Sequence, residues 1–147
     1  MKELIRMPMG HYWSLIGCTS AAIFIATLEV ITKVKNPDFY QLWLTQMGNP
    51  QIEGAFSVYL TVSLTHYAAI VIIPMTFAIY TTFAANKLRI NGLYIFMWIV
   101  LMLASLAYSV LGKMLDDGFL YAFGVVYGGI VITLMSLVEV VREPKLK

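Results

Sequence analysis

Hydrophobic positions in this chain gather into four long runs, over residues 14–34, 55–84, 93–112 and 119–141, separated by short polar connections. About twenty apolar residues in a helix cross the hydrocarbon core of a bilayer, so the pattern predicts four transmembrane helices. The second run is the longest. Its interior holds one ionisable residue, His66, and one helix breaker, Pro74. At roughly thirty residues, it predicts a helix that tilts, kinks or protrudes beyond the lipid. Pro74 cannot donate to the carbonyl of Ile70, which makes it the expected kink, and a hydroxyl, a water or a neighbouring helix is needed to cover the freed group. Ser57, Thr61, Ser63, Thr65 and Thr76 surround that site. Their hydroxyls are expected to face other helices more than lipid.

The first and fourth runs carry small residues at helical spacing. Ser14, Cys18 and Ala22 recur every fourth residue, as do Gly17 and Ala21, and the fourth run contains the GxxxG pattern of Gly124 and Gly128, extended by Gly129. Such strips let helix backbones approach closely, so Gly17, Ala21, Gly124, Gly128 and Gly129 are the expected packing positions. The third run has no charge and carries Trp98, Ser105, Tyr108 and Ser109.

Between the first two runs, Asn36-Pro37-Asp38 reads as a helix N-cap, a proline at the first helical position and an acid that suits the helix dipole. A helix over 37–47 is predicted, ended by Gly48 and Asn49-Pro50. It sets Phe39, Leu42, Trp43 and Met47 on one face and is too short to span. The expected role is an amphipathic helix lying at the membrane interface, with Tyr40 and Trp43 at headgroup level. The segment before the first run is basic-leaning and broken by Pro8 and Gly10; because the run is about twenty residues long, contains Glu29 and lacks an A-x-A site, a retained span is expected and not a signal peptide.

Composition supports the same class. Of 147 residues, 60% are hydrophobic and 12% charged, about half the charged fraction of a soluble domain. The fold class expected is therefore an all-α integral membrane protein: a single domain, built as a four-helix transmembrane bundle with one short interfacial helix. With both termini cytoplasmic, Lys2, Arg6, Lys87, Arg89, Arg142, Lys145 and Lys147 lie inside, against Lys33, Lys35 and Lys113 outside. An even number of spans and the positive-inside rule agree on that orientation, in a plasma or other cell membrane. The net charge of +2 is dispersed, which argues against a nucleic-acid partner. Membrane lipids, other membrane subunits or further copies of the chain are the expected partners.

Candidate chemistry is sparse. Cys18 is the single cysteine, so no redox pair or thiolate-rich metal site can be built. His11 and His66 fall in opposite halves of the predicted bundle, so they cannot clamp one haem, and neither a cofactor nor a metal is expected. The sequence lacks HExxH, a nucleophile elbow, a phosphate-binding glycine loop and a carboxylate cluster for two metals, and no enzymatic activity is expected. Asp116 and Asp117 read as a solvated turn at the start of the fourth helix.

One group stands apart. Glu29 is the acid set well inside a span, near the predicted outer edge of the hydrocarbon, where an unpaired carboxylate costs on the order of 3 kcal/mol. Lys33, one turn on, and His66, in the outer half of its own span, are the candidate partners. Glu29, His66 and Lys33 thus form the candidate polar intramembrane site. By exclusion, the function expected is an accessory, assembly, immunity or regulatory subunit acting through helix contacts. The alternative is a small oligomeric ion- or proton-coupled transporter or channel using Glu29 and His66, recognisable by a polar cavity that reaches them.

Overall fold

A computed structural model describes residues 6–48, 53–86, 90–111, 113 and 117–142. It contains five helices: α1 (Met9–Lys35), α2 (Pro37–Gln46), α3 (Ala55–Asn86), α4 (Gly92–Val110) and α5 (Gly118–Arg142). Four of them, all but α2, are long and apolar enough to cross a membrane.

Helix ends follow local chemistry. α1 starts earlier than the hydrophobic run because Pro8, fixed near φ −61°, lends its carbonyl to the Tyr12 N–H at 3.1 Å; Gly10 is absorbed into the first turn instead of breaking it. α1 stops at Asn36, whose extended backbone turns the chain and whose Oδ1 accepts from the Asp38 N–H at 2.9 Å, capping α2. Gly48, at φ +66°, takes the left-handed conformation that lets the chain leave α2. Asn91 caps α4 by accepting from the Tyr94 N–H at 2.8 Å.

The long helices form a ring in which α1 packs on α3 and α5, and α4 closes the circuit by packing on both α3 and α5. Its core is continuous. Leu15, Phe77, Met102, Phe123, Tyr127, Ile130, Leu134 and Leu137 are fully buried, while Phe24, Ile72, Leu93, Phe96, Val125 and Ile132 project outward. Each seam of the ring carries a side-chain hydrogen bond between helices. Thr27 meets Tyr67 (3.1 Å) between α1 and α3, Thr81 meets Tyr94 (3.0 Å) between α3 and α4, and Ser105 meets Tyr127 (2.8 Å) between α4 and α5. The α1–α5 seam has two such bonds, His11 to Ser136 (3.0 Å) and Ser14 to Thr133 (3.1 Å). A hydroxyl paired across a seam avoids the cost of an unsatisfied polar group in an apolar interior.

The small-residue strips resolve more narrowly than their spacing suggests. A Cβ added at Gly17, Gly124 or Gly128 meets nothing within 4 Å, whereas one at Gly129 stands 3.3 Å from the Cys18 sulfur. The close approach of α1 and α5 therefore runs through Cys18 and Gly129, with Ala22 and Ala26 buried further along α1.

α3 runs unbroken from Ala55 to Asn86 with Pro74 buried inside it. The hydroxyls expected to reach other helices mostly turn back on their own. Thr61, Thr65 and Thr76 are exposed and donate to the carbonyls of Ser57, Thr61 and Ile72, four residues earlier, a bond any threonine in a helix can make without a neighbour. The length of α3 serves another purpose. Its first turns present Phe56 and Tyr59, which pack with Tyr40 and Trp43 of α2 at ring separations of 5.3–5.5 Å. This aromatic cluster holds α2 across one end of the bundle.

Candidate functional site

At that end the chain gathers its buried charges. Glu29, on the last two turns of α1, is only 3% exposed. Its Oε1 accepts from the Nζ of Lys33 at 2.6 Å, one helical turn along, and also from the Nζ of Lys113, in the connection between α4 and α5. Lys113 is itself buried, with its ammonium 5.3 Å from the centre of the Phe123 ring. A carboxylate in an apolar interior is tolerated when cations and hydrogen bonds replace its lost water. Here α1 itself, through Lys33, and the connection between α4 and α5, through Lys113, supply them. The backbone of Lys33 is held in turn by Tyr59 of α3, whose hydroxyl donates to its carbonyl at 2.9 Å.

His66 is placed differently. Its Nδ1 lies 3.3 Å from the Tyr108 hydroxyl on α4, with the two rings 5.3 Å apart. Among the described contacts Glu29 and His66 are not bonded to one another; they share a cavity. It measures about 750 Å³ and lies beneath α2, between the end of α1, the first half of α3 and the start of α5. Glu29, Lys33, His66, Lys113 and Asp117 are the ionisable side chains on its wall, together with the hydroxyls of Thr32, Tyr59, Ser63 and Tyr67. Its apolar lining comes from the underside of α2 (Phe39, Leu42 and Trp43) and from Val62 and Ile70 of α3. Among the described residues, no charged side chain is buried at the opposite end. There His11 pairs with Ser136, and the interior is filled by Phe77, Leu134 and Leu137.

Lys113 is the participant that the sequence did not single out, and Asp117, read from the sequence as an acid of a solvated turn, joins it on the cavity wall. Asp117 is an N-terminal acid of α5 whose Oδ1 accepts from the Phe119 N–H at 2.9 Å, as a turn acid should; its place on the cavity wall comes from where α5 starts. Asp116 lies outside the described residues. Glu29 Oε2 and Trp98 Nε1 are buried without a partner among the described residues.

Comparison with family models, with curated proteins and with solved structures finds no match.

Proposed function

We propose that this chain is a multi-pass membrane protein that binds, and passes on or transports, a small molecule through the cavity beneath α2. The observation that carries the reading is that cavity. Its volume of about 750 Å³ falls within the range of small-molecule sites, and it combines a mostly apolar lining with a few convergent polar groups, the usual composition of such sites. It reaches both Glu29 and His66, the property that distinguishes the transport alternative from a dry, partner-binding bundle.

In this reading the four long helices insert with both termini cytoplasmic, and α2 lies at the outer interface. The lysine distribution supports that orientation with an added reason for its exceptions. Lys33 and Lys113, two of the three cations on the minority side, are tied to Glu29.

A second reading, an accessory or assembly subunit that works through helix contacts, draws support from the open glycine face of α5, where Gly124 and Gly128 have space beyond them. Extraction in mild detergent followed by native mass spectrometry separates the two. A small molecule bound one per chain, and lost when Ser63→Phe fills the cavity wall, is the expected result. A wild-type chain that carries no small molecule but retains a stoichiometric protein partner would overturn it.

A further inference from the structure

The identity of the occupant is constrained by charge and volume together. Glu29 receives two ammonium groups on a single oxygen, so the Glu29, Lys33 and Lys113 cluster carries one positive charge in excess. Asp117 also lines the cavity and keeps its charge, but its Oδ1 accepts from the Phe119 N–H at the N-terminus of α5, where the helix dipole offsets a carboxylate, and no lysine lies within ion-pair distance of it among the described residues. An ammonium offers three donors; Lys33, with a third of its side chain exposed, has donors left after serving Glu29. The donors left on Lys33 therefore suit a negatively charged group that accepts hydrogen bonds.

The rest of the cavity asks for hydrocarbon. Phe39, Leu42, Trp43, Val62 and Ile70 line it, and roughly 30 Å³ per water-sized group lets about 750 Å³ hold some 25 such groups. That is one alkyl chain with a compact head.

We infer that the cavity binds a single-chain anionic amphiphile, its carboxylate or phosphate held by Lys33 and Lys113 and its chain lying under Phe39, Leu42 and Trp43. This rests on the small-molecule reading above and adds the class of ligand. Glu29 is then the group that keeps two lysines together while the site is empty. An incoming anion takes the donors that Glu29 leaves unused, and no covalent step is involved. A fatty acid and a monoacyl phosphate share this head chemistry.

Trp43 provides the readout. Purified full-length chain in detergent is titrated with dibrominated stearate, with the matching lysophosphatidate, and with the matching monoglyceride and lysophosphatidylcholine, while bromine quenching of tryptophan fluorescence is followed. Trp43→Phe serves as the blank for quenching of the other two tryptophans. Saturable, Trp43-dependent quenching by stearate, by lysophosphatidate or by both, weakened at least tenfold by Lys33→Gln and preserved in Lys33→Arg, is the expected result. Which of the two binds more tightly separates a carboxylate ligand from a phosphate ligand. Quenching by the monoglyceride or the lysophosphatidylcholine as strong as that by the anions, or no loss in Lys33→Gln, overturns the anionic class while the cavity keeps its small-molecule role. If none of the four gives saturable quenching and the native chain also carries no bound small molecule, the inference and the reading beneath it both fail.

Discussion

Lys113 and Glu29, 84 positions apart in the chain, form an ion pair in which both side chains are about 95% buried. Removing the acid leaves that ammonium in an apolar interior with no counter-charge, a loss that in comparable buried pairs costs about 3–5 kcal/mol. Glu29→Gln is therefore expected to lower stability in detergent strongly, although the amide keeps the shape of the side chain. Combining it with Lys113→Met should recover most of the loss, since neither charge then remains buried. Thermal unfolding of the two single variants and the double variant measures the coupling; additive losses would mean that the pair is not a unit.

Across the α1–α5 seam, Gly129→Leu is expected to cost about 1–3 kcal/mol through overpacking against Cys18. Gly124→Leu and Gly128→Leu should leave the melting temperature of a monomer nearly unchanged, because a Cβ at either position meets no described atom within 4 Å. Size-exclusion chromatography of the last two variants then isolates any contribution of the open glycine face to assembly.

Tyr127→Phe deletes a hydroxyl that lies 2.8 Å from the Ser105 hydroxyl in the fully buried core. A loss of about 1 kcal/mol is expected, against none for Tyr121→Phe, whose side chain is largely exposed. Denaturant titration of both proteins in one detergent checks the contrast.

Orientation is open to reporter fusions. Fusions at Asn49 and Asp117 should report the outside, and fusions at Gly92 and after Lys147 the inside. A cytoplasmic signal at Asp117 would refute the four-span arrangement.

The four long helices were legible because each hydrophobic run exceeds the length at which a soluble strand or helix is a competing reading. The short helix α2 was legible from three residues, since the cap, the proline and the acid at 36–38 leave few other conformations. Within the candidate site, the Glu29 and Lys33 pair follows from helical spacing alone. Lys113 does not. In the sequence it is one more lysine in a connection, and only the return of α5 along α1 brings it to the same oxygen. One signal did point there: the sequence pattern places Lys33, Lys35 and Lys113 toward the same predicted end of the bundle as the buried acid. The glycine pattern was informative in composition and ambiguous in direction. Gly128 and Gly129 differ by one position, about 100° around a helix, and that rotation decides which one touches α1. Spacing within one helix cannot set its rotation against a helix a hundred residues away.

Because the ring closes through the packing of α1 on α5, α1 must wait for α5, which is made later in the chain. During that interval Glu29 has only Lys33, one turn away on the same helix, to hold its charge; the seam bonds of His11 and Ser14, and the contact of Lys113, form once α5 arrives. Lys33 thus acts as an escort within α1, carrying a carboxylate through synthesis until a second cation takes up its place beside it. The cavity beneath α2, whose wall includes both lysines and the start of α5, is complete only once α5 is in place, so under the proposed function a chain caught before that step is expected to bind no ligand.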